Sequence, residues 1–484
     1  MQQVYTAALE FITPRALDPV TAPRLTVWGL RGLTALDPDL TAGLRAGRLI
    51  LSGRNGKLYD APAPRAPTAA AWAEAASRMA AAAWAASPDV RRAGTEGVIQ
   101  AFFDEMFDHL DPYSRYEPPR AAEADEAARN GDVGIGLQLT RRNGVILARM
   151  VNPDGPAARA GLRPGNPILD IDGHATSGHT VAAALGWLAG PDGSNVTLRW
   201  KPAAGPPRQA SVTRAQVPPR TVFSERLAGM LLVRITRFNR ATATSFAAPI
   251  EQAMASRKPP DGLVIDLRGN PGGLLGQAVT VADGMLPAAE ITRTAGRDPA
   301  ASEVWLSKPG ELAPGLPVVV LVDGRTASAA EILASALADQ GRAVVVGSAT
   351  FGKGLVQTFT TLPDGGELFV TWSRVLAPRG WPLQSLGVLP QVCTSLGEQA
   401  VERQLEALNA GAQPMAAAIA RERDSRPPVS ATEAVKIRQA CPAAVGQEID
   451  LEVAHFLIEN PAAYAAALLP PLREPLTGPI AAAP

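Results

Sequence analysis

The sequence predicts a multidomain α/β protein. Apolar, β-branched runs at 263–267, 318–322 and 343–346 are typical of buried strands, and turn residues follow the first two. The Ala/Leu/Ile-rich stretch after Thr326 predicts a helix. At 484 residues the chain is too long for one ordinary domain, so we expect three or four units. Its 46% hydrophobic content is sufficient for substantial cores.

The composition of the chain indicates which kinds of partner and compartment are expected. Lys+Arg and Asp+Glu number 46 each, so the zero net charge does not favour nucleic acid as a partner. No apolar run approaches 20 residues, so no transmembrane segment is expected. No basic stretch followed by an apolar one opens the chain, so no signal peptide is predicted. Cys393 and Cys441 could pair in an oxidising compartment or be unrelated thiols, and both alternatives stay open.

Two modules are expected before residue 130. Residues 1–62 predict a helix followed by a hairpin at 48–59, in which Asn55-Gly56 suits a type I′ turn. Residues 69–125 predict an N-terminal helical region, Ala-rich at its start. Near its end Asp111 is a candidate cap and Pro112 a candidate first residue of a further helix.

Residues 316–358 carry the candidate chemistry. Thr326 is a candidate N-cap, which places Ser328 in the first helical turn, where free N–H groups and the positive dipole end favour an oxyanion. None of the four histidines falls in this stretch, but a lysine can act as the base if burial lowers its pKa. Lys353 lies between two glycines that permit close approach, and Gln357 could orient its amine.

The segments TASAAEI (326–332) and TFGKG (350–354), followed by Gln357, resemble the signature of the carboxyl-terminal processing, or tail-specific, serine peptidases. The spacing of serine, lysine and glutamine matches that family. The resemblance implies that Ser328 is the nucleophile, Lys353 the general base and Gln357 its orienting partner. Supporting roles are implied for three further residues: Glu331, Asp339 and Thr350.

The segment LVIDLRGNPGG (263–273) resembles the motif of that family that supplies an oxyanion N–H. Here the implied donors are Gly272 or Gly273, together with Ala329. The core, at 218–395, is expected to be a spiral of strand-strand-helix units like that of crotonase and Clp folds. A phosphate loop at 347–353 is excluded because Gly354 replaces the required Ser/Thr and a strand-like segment follows.

Residues 131–205 resemble a PDZ domain, most clearly along the segment 152–173. Gly134, Ile135, Gly136 and Leu137 resemble the loop that binds a terminal carboxylate, where free backbone N–H groups form an anion nest. The apolar side chains at 135 and 137 would favour small or apolar terminal residues of the bound peptide.

The resemblance implies a serine endopeptidase that binds protein or peptide substrates by their free C-termini and cleaves them through an acyl-enzyme. No metal and no organic cofactor are implied. The helical region 396–484 could pack on the core, support a homo-oligomer or bind an adaptor protein. The family implies a periplasmic or otherwise exported location. The alternatives are a noncatalytic PDZ scaffold or chaperone on an inactive protease core, and a crotonase-type acyl-CoA enzyme.

Overall fold

The N-terminal region is helical and carries a small antiparallel sheet; the computed structural model describes residues 1–472 of the protein. The Tyr5 ring stacks on Phe102 and meets Phe103 edge-on in the core between the helices. The elements are α1 (Gln2–Arg15), α2 (Ala22–Arg31), α3 (Leu33–Leu36), β1 (Thr41–Arg45), β2 (Arg48–Gly53), β3 (Gly56–Pro62), α4 (Ala69–Ala86), α5 (Pro88–Phe107), β4 (Arg115–Glu117) and α6 (Pro119–Asn130).

The predicted hairpin is present, but its turn differs from the prediction. Gly53 pairs with Gly56, so Arg54 and Asn55 occupy the centre of the turn. A type I′ turn requires positive φ at both central residues, whereas here the positive φ, 118°, belongs to Gly56. The predicted turn type is therefore wrong, and strand β1 adds a third strand that was not predicted.

The segment after α5 is a turn and then a strand, not a further helix. Asp111 Oδ1 accepts the N–H groups of Tyr113 and Ser114, both at 3.0 Å, which closes an Asx-type turn. The chain then extends into β4, and the next helix begins only at Pro119. The helix predicted at Pro112 is therefore wrong, because the aspartate stabilises a turn instead of a helix start.

The PDZ-like region has its own core, which includes Ile135, Ile146 and Trp200. The strand Arg208–Thr213 pairs with Asn195–Trp200, and Ala215–Val217 pairs with Asp132–Gly134, so the paired structure continues beyond residue 205, the end expected from sequence. The elements are β5 (Asp132–Gly134), β6 (Leu137–Arg142), β7 (Val145–Val151), α7 (Pro156–Arg159), β8 (Ile168–Ile171), β9 (His174–Ala175), α8 (Val181–Leu188), β10 (Asn195–Trp200), β11 (Arg208–Thr213) and β12 (Ala215–Val217).

The central region contains the strands that were predicted from apolar runs. The strands Leu263–Asp266, Val318–Val322 and Val344–Gly347 are buried along their whole length, as expected for a sheet covered on both faces. The elements are β13 (Val222–Leu227), β14 (Met230–Ile235), α9 (Thr242–Met254), β15 (Leu263–Asp266), α10 (Leu275–Asp283), β16 (Glu290–Gly296), a 3₁₀ turn (Pro299–Ala301), β17 (Val304–Leu306), β18 (Val318–Val322), α11 (Ala329–Asp339), β19 (Val344–Gly347), β20 (Leu355–Thr361), β21 (Glu367–Leu376) and β22 (Val392–Cys393).

Two sheets organise the central region. The larger runs in the order β13-β14-β15-β18-β19-β22; β13 is antiparallel to β14 and the remaining pairs are parallel. Helices α9, α10 and α11 pack on one of its faces. The second sheet runs β17-β16-β21-β20, and β4 pairs with β21. The N-terminal region is thus joined to the centre by backbone pairing.

The C-terminal helices cover the other face of the larger sheet. Side chains of α12, α15 and α16 pack against buried residues of the strands, including Val264, Val319 and Val344. A disulfide joins Cys393 to Cys441, which answers the question that the sequence left open. Residues 473–484 of the predicted region 396–484 lie outside the described residues. The helices are α12 (Glu398–Asn409), α13 (Ala416–Asp424), α14 (Ala431–Arg438), α15 (Ile449–Glu459) and α16 (Pro461–Ala467).

The predicted α/β class is confirmed, and the PDZ-like region lies between the N-terminal helices and the central sheets. Of the predicted options for the C-terminal region, the structure shows packing on the core. Along residues 1–472, none of the helices combines the length and the apolar character needed to cross a bilayer.

Candidate active site

Ser328 stands where the loop after β18 meets helix α11. It is the N-cap residue, with φ 55° and ψ −120°, a conformation that is uncommon for a residue with a side chain. The predicted N-cap, Thr326, is wrong: its hydroxyl donates instead to Leu267 O at 2.9 Å, between neighbouring strand ends. Strained backbone is common at active-site residues, where the surrounding structure maintains it.

Glu331 holds the start of α11 against the loop that carries Lys353. Its Oε2 accepts the N–H of Ser328 at 2.7 Å and the N–H of Lys353 at 2.9 Å. Its Oε1 accepts the N–H of Gly352 at 2.6 Å and the hydroxyl of Thr350. Burial raises the pKa of the Glu331 carboxyl, while these four donors act in the opposite direction. The carboxylate therefore fixes the backbones of Ser328 and Lys353 relative to each other.

The two glycines beside Lys353 allow the close approach that the sequence predicted. A Cβ on Gly354 would lie 2.1 Å from the backbone nitrogen of Gln384. Gly352 has φ 91°, a conformation that favours glycine. The lysine loop thus lies directly against the segment around Gln384: a side chain at Gly354 would collide with backbone, and one at Gly352 would be strained and tightly packed.

The amine of Lys353 is half-buried and lies over an aromatic ring. Nζ is 4.8 Å from the centroid of the Tyr113 ring. Burial lowers the pKa of Lys353 below that of a free lysine, and the Arg115 guanidinium lowers it further. Within residues 1–472, no hydrogen bond joins Nζ to the Ser328 hydroxyl. The structure therefore brings the two backbones together while the amine contacts Tyr113.

The glycine turn after β15 lies beside Ser328. A Cβ on Gly272 would be only 2.8 Å from the Cβ of Ser328. The N–H of Gly272 is already donated to Asn270 Oδ1 at 2.8 Å. By contrast, the N–H groups of Gly273 and Ala329 have no acceptor among the residues that the structure describes. Of the two glycines named from sequence, Gly273 is thus the one with a free donor.

The Gln357 side chain hydrogen-bonds to groups other than Lys353 in this structure. Its Nε2 donates to Leu355 O and to Thr371 Oγ1, each at 3.1 Å. In the described part of the chain it makes no hydrogen bond to the lysine amine, so its role as orienting partner stays a prediction.

Asp339 lies at the opposite end of α11 from Ser328. It accepts hydrogen bonds from Trp381 Nε1 at 2.8 Å and from Arg423 Nε at 3.0 Å. Arg423 belongs to α13, so this buried carboxylate links α11 to the C-terminal helices. Its place supports a structural role, distant from Ser328.

The predicted carboxylate loop has the expected backbone. Gly136 has φ 75°, and a Cβ there would meet Asn152 Cβ and Val217 Cγ1 at 3.1 Å. Along residues 1–472, no acceptor pairs with the N–H groups of Ile135 and Gly136. Ile135 is 3% exposed in the PDZ core and also lines the groove beside the loop, and Leu137 is half-buried, so their selection of the terminal residue stays a prediction.

A groove of about 1160 Å³ opens beside this loop. Its apolar lining includes Met150, Leu185, Leu188 and Val217, and arginines such as Arg159 lie at its margin. An extended peptide with an apolar end and a free carboxylate fits this combination of groups.

Sequence reasoning missed two contributors to the site. Asn270 donates to Ile235 O, accepts from Gly272, and its backbone carbonyl accepts the N–H of Ala327 at 2.9 Å. Asn270 belongs to the glycine motif at 263–273, but nothing in the sequence indicated its role. Tyr113 reaches Lys353 from the N-terminal region; it lies in the segment LDPYS (110–114), where only Asp111 and Pro112 were given roles from sequence.

Comparison with known proteins identifies two families. The profile of Peptidase family S41 matches residues 229–394, and a PDZ domain profile matches residues 149–202. The Carboxy-terminal-processing protease of Bartonella bacilliformis is 34% identical over 302 residues, which cover 61% of this chain and 69% of that protein. The Carboxy-terminal processing protease CtpA of Bacillus subtilis is 32% identical over 307 residues, covering 63% of this chain and 65% of that protein.

Among solved structures, the photosystem II D1 C-terminal processing protease is 26% identical with a TM-score of 0.37, and the match covers 80% of this chain and 97% of that one. The sequence match to the Bartonella protein, together with the two family profiles, is sufficient for assignment. This chain belongs to the carboxy-terminal processing proteases of peptidase family S41 and carries a PDZ domain.

Proposed function

We propose that the protein is a serine endopeptidase in which Ser328 and Lys353 form a catalytic dyad. One observation carries the proposal: a single buried oxygen, Glu331 Oε2, accepts the N–H groups of both residues. The start of helix α11 and the loop that carries Lys353, 25 positions further along the chain, are therefore connected by two hydrogen bonds to this one oxygen. A structural helix cap would not require the lysine loop at this position.

The proposed chemistry begins with neutral Lys353. Its amine takes the proton of the Ser328 hydroxyl as Oγ attacks the carbonyl carbon of the scissile peptide bond. The resulting oxyanion is stabilised by the N–H groups of Gly273 and Ala329. The lysine ammonium then gives its proton to the leaving amine, which leaves an acyl-enzyme. Water, deprotonated by Lys353, hydrolyses this ester and regenerates Ser328.

For this step the lysine amine must approach Ser328 Oγ while it stays within about 6 Å of the Tyr113 ring centroid, the range of a cation–π contact. Since Glu331 already holds the backbones of Ser328 and Lys353, the proposed motion is confined to the lysine side chain. Catalytic hydrogen bonds are often long before substrate binds and shorten in the complex. We place Gln357 beside the amine once it has moved, in the orienting role that the family implies.

Substrate recognition is assigned to the PDZ loop. The unpaired N–H groups of Ile135 and Gly136 would bind a terminal carboxylate, and strand β6 would pair with the peptide. Leu137 and the apolar groove favour apolar terminal residues. Protein or peptide substrates with a free C-terminus are therefore the proposed class.

A periplasmic or otherwise exported location completes the proposal. The Cys393–Cys441 disulfide supports it, because structural disulfides persist mainly in oxidising compartments. Self-association and an adaptor protein remain proposals that follow from the family alone.

The test compares three purified variants with the wild type. Ser328→Ala, Lys353→Ala and the double variant should all lose cleavage of an unfolded protein substrate such as casein. The double variant should be little worse than either single one, since residues acting as a unit are not additive. Circular dichroism should show unchanged folding. Substantial cleavage by folded Ser328→Ala would contradict the dyad, and an inactive wild type would favour a noncatalytic PDZ scaffold.

A further inference from the structure

The Asx-type turn at Asp111–Ser114 reaches the dyad from a different part of the chain. Its residue Tyr113 places the ring face 4.8 Å from Lys353 Nζ. The pairing of β4 with β21 anchors the turn, since Tyr116 and Leu368 are register partners. The ring therefore has a fixed place beside the lysine amine.

Tyr113 also lies beside Gln384, whose side chain accepts a hydrogen bond from the loop that carries Lys353. Burial raises the pKa of the Tyr113 phenol, and the neighbouring Gln384 side chain acts in the opposite direction. Gln384 Oε1 accepts the N–H of Gly354 at 2.9 Å, directly after the lysine. Tyr113 thus lies beside the amine of Lys353 and beside the side chain that supports the backbone of the same loop.

The same turn contacts Thr371 of strand β21, which accepts a hydrogen bond from the Gln357 side chain. Thr371 Oγ1 donates to Asp111 Oδ1 at 2.7 Å and accepts from Gln357 Nε2 at 3.1 Å. The backbone N–H of Thr371 donates to Ser114 Oγ at 3.0 Å. Both polar residues proposed to serve the nucleophile are therefore connected to this one turn.

We propose that Tyr113 is a positioning residue for Lys353, and that its ring face stabilises the ammonium formed when the lysine takes the serine proton. The inference rests on the proposed dyad. A ring face attracts an ammonium and has little attraction for a neutral amine. The contact is therefore stronger in the transition state than in the ground state, which is the condition for accelerating the reaction.

The charged groups around Lys353 determine the expected pH effect. Arg115 and Arg237 disfavour its ammonium, whereas Glu331 and Asp111 favour it. The Tyr113 ring adds to the second group. Its removal should leave the amine neutral at lower pH, so the ascending limb of the pH–rate profile should move to lower pH.

The experiment measures kcat, KM and the pH profile on a fluorogenic peptide with a free C-terminus. Tyr113→Leu should lower kcat roughly tenfold, within the range expected for a desolvated cation–π contact, with little change in KM. Tyr113→Phe keeps the ring and should retain most of the activity. Tyr59→Leu, a half-buried tyrosine on β3, is the matched control and should behave like the wild type.

Fluorinated phenylalanines incorporated at position 113 preserve the shape of the ring and weaken its negative face. They keep the test valid if Tyr113→Leu does not fold. The rate should fall stepwise as fluorine is added. A flat series would overturn the proposal, and so would a Tyr113→Leu variant that is as active as the wild type or more active.

Ser328→Ala assayed in parallel separates the two possible failures. If it is inactive while Tyr113→Leu is fully active, only the role of Tyr113 is wrong. If folded Ser328→Ala cleaves the peptide, the dyad is wrong and the role of Tyr113 is wrong with it.

Discussion

The region around Ser328 and Lys353 and the PDZ loop differ in how their hydrogen-bonding groups are used. Around Ser328 the structure is buried, and one carboxylate, Glu331, accepts four hydrogen bonds. The PDZ loop has no charged residue between Gly134 and Leu137, and it offers unpaired N–H groups to an open groove. The first arrangement fixes geometry, and the second leaves space for a ligand.

Because of this difference, substitutions in the two regions should have different effects. A change at Glu331 leaves buried donors without an acceptor, so it should affect both folding and the chemical step. A change at Gly136 alters the open loop, so it should affect binding of the substrate and leave the chemistry intact. The following predictions test that separation, beginning with the largest expected effect.

Glu331→Gln should lower kcat by roughly a hundredfold, because the serine and lysine backbones would no longer be held together. A glutamine keeps one accepting oxygen, so two of the four donors lose their acceptor. The free energy of unfolding should fall by about 3 kcal/mol. Steady-state kinetics and chemical denaturation measure the two effects. Glu402→Gln, on the exposed side of α12, is the control and should change neither.

Gly136→Val should remove discrimination between two peptides of identical sequence, one ending in a free acid and one in an amide. The wild type should cleave the acid roughly tenfold faster, as expected for a charge-assisted hydrogen bond. Valine is strained at φ 75° and would press on Asn152 and Val217. Rates at saturating substrate should change little, because the dyad is intact.

Gly144→Val is the matched control for this loop. Gly144 has a similar φ, 79°, but a Cβ there meets nothing within 4 Å. It should keep the preference for the acid while carrying a similar backbone strain. If the wild type cleaves both peptides at equal rates, the PDZ domain serves some other partner.

Cys441→Ser should have the smallest effect on activity and a clear effect on stability. The disulfide closes a sequence separation of 48 residues, for which chain entropy predicts about 4 kcal/mol. Denaturation with and without a reductant measures this difference in the wild type. The variant should match the reduced wild type, and a variant as stable as the oxidised wild type would show that the bond does not form.

Local patterns predicted the central fold well. The run Val318–Val322 and the helix after it follow from a continuous β-branched segment and an Ala/Leu-rich one. The glycine turn at 272–273 was identified from its motif, but the choice of Gly273 depends on a side-chain contact from Asn270. Asn55-Gly56 is a strong local turn pattern, yet the central residues of the observed turn are Arg54 and Asn55, one position earlier than predicted.

The contacts that complete the site could not be predicted, because they join distant parts of the chain. Ser114 and Thr371 are 257 residues apart in sequence, and they meet because β4 pairs with β21. Nothing in the segment LDPYS indicates which sheet it joins. In the same way, the pairing of Cys393 with Cys441 depends on how the C-terminal helices pack on the sheet.

The central claim is that Lys353 activates Ser328, and labelling with a fluorophosphonate tests it most directly. This reagent is attacked by an activated serine oxygen and loses fluoride, and mass spectrometry identifies the labelled residue. Because burial and Arg115 lower the pKa of Lys353, the labelling rate should rise with pH through a value below the roughly 10.4 of free lysine. The label should be on Ser328, and Lys353→Arg should remain unlabelled, since a guanidinium does not lose its proton. Labelling of another serine, or an unchanged pH profile in Lys353→Arg, would contradict the dyad.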